Sequence, residues 1–96
     1  MTVKILIKRK FPQGKATQLE QMLIELRRQT VNQPGYVSGE TLQRLDRPGE
    51  MLVISTWESA DHWRRWSFNP DRLHVQEKID ALLGTPTEYE VYTHQP

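Results

Sequence analysis

The chain predicts an α+β fold of the ferredoxin-like kind: a four-stranded antiparallel sheet with helices on one face, in the order β-α-β-β-α-β. Three observations lead there. The hydrophobic period switches from two residues to helical spacing and back along the 96 residues. Glycine and proline breaks fall between the periodic segments. The third strand is apolar on both of its faces, so a two-layer fold leaves it with something further to cover.

Val3 to Lys10 alternates and is rich in β-branched residues, with Val3, Ile5 and Ile7 on one face and Lys4, Leu6 and Lys8 on the other. Pro12-Gln13-Gly14 ends this strand. From Lys15 to about Asn32, Ala16, Leu19, Met22, Leu23, Leu26 and Thr30 recur at helical spacing. Pro34-Gly35 breaks the helix, and Tyr36 to Leu45 reads as a second strand in which Gly39 marks a bulge or the close approach of another backbone. Pro48-Gly49 supplies the central residues of a type II turn, so Glu50 to Trp57 pairs with the second strand as a hairpin. Ser59 is a good N-cap for a short helix from Ala60 to about Phe68, and Asp61 suits its first turn. Asn69-Pro70 interrupts it. A further helix begins near Pro70 or Asp71, has Leu73, Ile79, Leu82 and Leu83 as its apolar positions and ends at Gly84, before a last strand from Thr87 to Thr93.

The length predicts one domain, residues 1–96. There is no cysteine, which removes disulfides and thiolate metal sites and fits a reducing cytoplasm. The start of the chain is too short in apolar residues, and too interrupted by lysine, to read as a secretory leader, and no apolar run reaches membrane-spanning length. With 13 basic and 12 acidic side chains the composition argues against a nucleic-acid or anionic-membrane binder. Lys8-Arg9-Lys10 and Arg27-Arg28 read as solvated strand and helix ends. RNA-recognition domains share the element order, but their third-strand glycine and stacking aromatics are missing from Glu50 to Trp57.

No phosphate loop, zinc motif, nucleophile elbow or calcium loop is present, and the spacing of His62 and His74 does not make them a metal pair; no metal is expected. The chemistry points instead to Trp57, Trp63 and Trp66, which put all three indoles of the chain within ten positions. Aromatics at i and i+3 on an amphipathic helix commonly serve as core. Three indoles crowded beside a helix broken at Asn69-Pro70 also pack irregularly enough to leave a cleft. His74, close by in sequence, is a candidate general base at its mouth, because an imidazole titrates near neutrality. Arg72 is either solvated or steadies an anionic oxygen with its forked donors. Tyr36, Tyr89 and Tyr92 read as strand aromatics, any of which could turn a phenol toward the cleft.

Gly35-Tyr36-Val37-Ser38-Gly39-Glu40-Thr41-Leu42, the run Val53-Ile54-Ser55-Thr56-Trp57-Glu58-Ser59, and Trp63-x-x-Trp66 followed by Arg72 resemble the antibiotic biosynthesis monooxygenase (ABM) domain of the dimeric α+β barrel superfamily. The resemblance covers nearly the whole chain. It implies a homodimeric barrel of two four-stranded sheets, with a pocket in each subunit between helices and sheet. It also implies oxidation of a polyphenolic or quinol-type substrate by dioxygen with no metal, flavin or other cofactor. Trp66 matches the pocket aromatic of this family and of a related haem-degrading branch. That branch also needs an Asn on the first strand and a His ten positions after the Trp; here the first strand has no Asn and the second position is Gln76, with His74 two residues early. Haem degradation is therefore disfavoured. The expected activity is a cofactor-independent monooxygenase with Trp66, Trp63, Trp57 and Tyr36 around the substrate, His74 as proton acceptor and Arg72 as the cation. The alternative is a non-catalytic small-molecule binding or detoxification module using the same slot.

Overall fold

In the computed structural model, which describes every residue from Met1 to Pro96, the first strand, β1 (Val3–Lys10), runs through the middle of the sheet. It is followed by α1 (Ala16–Thr30), the hairpin of β2 (Tyr36–Gln43) and β3 (Glu50–Trp57), then α2 (Ala60–Ser67), α3 (Pro70–Leu83) and β4 (Glu88–Thr93). The strand order is β2-β3-β1-β4 and all pairs are antiparallel, which is the ferredoxin-like arrangement expected. Leu6 faces Ile54 and Ile7 faces Val53 across the central pair.

Local chemistry sets the boundaries. The Ser59 side chain accepts from the His62 backbone N–H at 3.2 Å and caps α2. The Asn69 side chain accepts from the Asp71 N–H at 2.9 Å with Pro70 in the first turn of α3, and Gly84 ends that helix in the left-handed region at φ 73°. β2 stops at Gln43, two residues before the expected end, because the Arg44 N–H donates to the Glu50 carbonyl while its guanidinium is held by Asp46 and Glu50. The bulge lies between Tyr36 and Ser38 rather than at Gly39. Gly39 answers to a close approach, but to a side chain: a β-carbon there would stand 2.7 Å from the Tyr36 hydroxyl oxygen.

The core lies between the sheet and the helices. Val3, Ile5 and Ile7 of β1 meet Leu19 and Leu26 of α1, Trp63 and Trp66 of α2, and Val75, Ile79 and Leu83 of α3, with Trp57 fully buried at the end of β3. Leu73 is not among them. It is 45% exposed, because α3 turns Arg72, Val75, Gln76, Ile79 and Leu83 inward and so sets Leu73 a quarter-turn off that stripe. The opposite sheet face carries Leu6, Leu42, Leu52, Ile54 and Tyr92, with Leu42 and Tyr92 exposed. No helix is long and apolar enough to cross a membrane.

Candidate active site

A cavity opens between α1, α2, α3 and the inner face of the sheet, walled by Tyr36, Trp57, Trp63 and Trp66, with Ile7, Leu23, Leu26 and Val53 completing its apolar surface. Register places these groups. Tyr36 faces Trp57 across the β2–β3 ladder, and the tyrosine ring meets the indole edge-on at 5.5 Å and 79°. Trp57 meets Trp63 at 5.8 Å, and its ring N–H donates to the Ser55 hydroxyl at 3.1 Å, so a buried polar atom is satisfied and the ring is fixed. Trp63 continues the stack to Tyr89 of β4 at 5.9 Å. The indoles are therefore both core and cavity wall.

Arg72 reaches this wall from the inward stripe of α3. It is 4% exposed, its guanidinium carbon lies 5.1 Å from the Trp63 ring and 5.2 Å from the Tyr89 ring, and it donates to the Tyr89 hydroxyl at 2.8 Å. A second guanidinium joins it. Arg9, expected to be a solvated strand end, is 3% exposed and lines the same cavity. It donates to the Gln76 amide oxygen at 3.1 Å, and the Gln76 amide nitrogen donates in turn to Asp80 and Thr87, both at 2.8 Å. Burial holds the Arg9 guanidinium below the usual arginine range; Tyr89 opposes that effect and the neighbouring Arg72 charge adds to it. Neither arginine forms an ion pair with a carboxylate.

His74 does not come to this cavity. It is exposed on the outer side of α3, in a shallow depression with Pro70, Leu73 and Glu77, because two helical residues past Arg72 is more than half a turn around. His62 is also spoken for: its Nδ1 sits 2.7 Å from the Ser59 hydroxyl, and its ring packs over Gly35. No imidazole lines the cavity, and its one carboxylate, Glu40, belongs to a residue paired with Ile54 on the other sheet face.

The cavity has a volume of about 70 Å³ and is partly open to solvent. That admits several waters or one aromatic ring; a larger ligand extends through the mouth. A wider depression of about 710 Å³ lies at the end of the sheet over Lys8, Lys10, Arg44, Glu50 and Glu88. Arg9 borders it too, from the cavity side; the other three cations are paired, Lys8 with Glu90 and Lys10 and Arg44 with Glu50. The indole cavity combines apolar aromatic walls with two guanidiniums that have no carboxylate partner, an arrangement able to hold a flat anionic ring.

Residues 2–78 match the sequence profile of the antibiotic biosynthesis monooxygenase family. Among solved structures, SnoaB of Streptomyces nogalater, a cofactor-independent oxygenase, superposes with a TM-score of 0.86 at 21% identity, covering 99% of this chain and 94% of that one. A conserved protein of Methanosarcina mazei reaches 0.91 at 14% identity over 99% and 94% of the two chains. Rv0793 of Mycobacterium tuberculosis reaches 0.87 at 17% identity over 100% and 97%. At these identities the likeness is one of fold. Protein SchA of Streptomyces halstedii is 28% identical over 50 residues, which are 52% of this chain; the match spans 13% of the length of that curated relative.

Proposed function

Because the chain belongs to the antibiotic biosynthesis monooxygenase family, we propose that it is a cofactor-independent monooxygenase that oxidises a phenolic or quinol-type aromatic in the cavity walled by Tyr36, Trp57, Trp63 and Trp66. The observation that carries this reading is Arg72: a buried guanidinium on an indole face, with no carboxylate to neutralise it. Such a cation lowers the pKa of a phenol brought beside it and holds the phenolate that dioxygen attacks.

The chemistry asks little else of the protein. The aromatic anion gives one electron to dioxygen, and the aryloxyl radical and superoxide combine at a ring carbon to form a peroxide. Protonation of the outer oxygen and loss of water, with the hydrogen of that carbon, leaves a quinone carrying one new oxygen atom. The indole walls keep the radical pair together and dry, and the Tyr36–Trp57 edge contact fixes the ring against which substrate lies. Since the cavity lacks an imidazole, the substrate proton leaves to water at the mouth once Arg72 has favoured the anion. His74→Ala should therefore retain turnover within about twofold, in contrast to the fall of about a hundredfold expected when a general base is removed.

In this reading two copies pack their open sheet faces together, burying Leu6, Leu42, Leu52, Ile54 and Tyr92, and the protein works in the cytoplasm, where a chain without cysteine loses nothing. One feature favours a second reading, a binding module without catalysis: the cavity has no imidazole, and its one carboxylate, Glu40, sits on a residue of the other sheet face. Oxygen uptake decides between them. Metal-stripped protein is offered hydroquinones and hydroxyanthrones beside a Trp66→Ala variant and a protein-free autoxidation control. Uptake above the control that falls in the variant supports the oxygenase; ligand binding with uptake at the control rate supports the module.

A further inference from the structure

Arg9 and Arg72 put two buried positive charges on one cavity, and a single phenolate answers only one of them. A charge removed from water is costly unless paired. The nearest acceptor to Arg9 is neutral, the Gln76 amide oxygen. Asp80 is held one residue further off, where it accepts from the Gln76 amide nitrogen, the Thr87 hydroxyl and the Thr87 N–H. That network fixes which way the Gln76 amide points, and so anchors one arm of Arg9 without neutralising it. The Arg9 Nε is buried with no hydrogen-bond partner. Arg9 borders both the indole cavity and the wider depression, but only the cavity sets a second unpaired guanidinium beside it, and a partnerless donor on such a buried cation calls for an anionic acceptor.

From this geometry we infer that the aromatic ligand carries a carboxylate, and that Arg9 binds it while Arg72 takes the phenolic oxygen of the same ring. The inference rests on the reading of the indole cavity as the substrate site, and it names the substrate class: hydroxylated aromatic acids. A carboxylate matches the guanidinium fork, and its single charge completes the balance that the phenolate begins. Lys8 and Lys10, on either side of Arg9, alternate to the exposed face and have carboxylate partners of their own. The assignment is therefore specific to Arg9.

Calorimetric titration of the whole protein with salicylate and with phenol, at fixed ionic strength, tests it. Salicylate is expected to bind at least about tenfold tighter than phenol, the scale of one charge-assisted hydrogen bond. Arg9→Gln should bring the ratio of the two affinities to about twofold or less, Arg9→Lys to an intermediate value, and Lys10→Gln should leave it as in the wild type. Inorganic phosphate should compete poorly, because it has no ring to lie against the indole walls. Equal binding of salicylate and phenol by the wild type would overturn the inference, whether or not the Arg9 variants fold; so would an Arg9→Gln protein that folds and keeps the preference, or phosphate binding as tightly as salicylate. Oxygen uptake is separate. A carboxylate preference without turnover contradicts the oxygenase and leaves this assignment standing, while turnover of quinols with no salicylate preference does the reverse.

Discussion

Gly35 occupies a position that tolerates no side chain. Its φ is +84°, and a β-carbon would run into the His62 ring, while its carbonyl accepts from the Glu58 N–H at 2.7 Å at the exit of β3. Gly35→Ala is expected to cost about 2 kcal/mol or more, from the left-handed backbone together with the displaced imidazole; a urea midpoint within error of wild type would contradict that. Trp66, 3% exposed, combines two duties, so its truncation to Ala should cost about 3–5 kcal/mol as well as opening the cavity. Trp66→Phe keeps an aromatic wall and separates the two: the same urea titration should find most of the stability retained while substrate affinity falls. Arg9 is a buried cation whose orientation is legible in the strand's own alternation. It shares the parity of Val3, Ile5 and Ile7, the buried face of β1, so alternation alone pointed it inward; its basic neighbours disguised it as a solvated run.

At the level of elements, the chain's stops and starts are written in short-range chemistry. Ser59→Ala should destabilise the protein by about 1 kcal/mol, since it removes the acceptor for the His62 N–H at the start of α2, and thermal unfolding will register it. The β2–β3 turn carries a pH-dependent contact: the Arg44 guanidinium holds the Asp46 carboxyl below its usual pKa of 3.8. A depressed folded-state pKa means that this contribution is present above about 3.8 and fades as pH falls below it through the folded value. Both groups are solvent-facing, so the slope is shallow, and Asp46→Asn should flatten it in stability measured from pH 5 to pH 2. Pro34-Gly35, Pro48-Gly49, Asn69-Pro70 and Gly84 made these boundaries legible from sequence, because a turn or cap is decided by a few adjacent residues. The rotation of α3 was not legible. Its inward stripe mixes Arg72 and Gln76 with Val75, Ile79 and Leu83, so no clean apolar face betrays which way the helix turns, and spacing alone does not reveal that Leu73 and His74 face outward.

The molecule as a whole has one sheet face under helices and one without them. On the open face Leu6 pairs with Ile54 and Leu42 with Leu52, next to the exposed Tyr92. A homodimer through this face predicts a light-scattering mass of twice 11.3 kDa at micromolar concentration, and Ile54→Lys should shift it to that of one chain, since a charge on each copy would then be buried against the other. A wild-type mass of one chain would contradict the arrangement. The fold class and the aromatic walls of the site could be read from sequence because they follow from period and composition. The two cations converge only through tertiary packing, Arg9 from β1 and Arg72 from α3, which stand far apart in the chain. The central claim is that this cavity puts an oxygen atom into an aromatic anion, and isotope labelling tests it most directly. Turnover of a hydroquinone under heavy-isotope dioxygen in ordinary water, with metal-stripped protein, should give a quinone carrying one labelled oxygen atom beyond the protein-free control. A product with no label beyond that control would contradict the oxygenase.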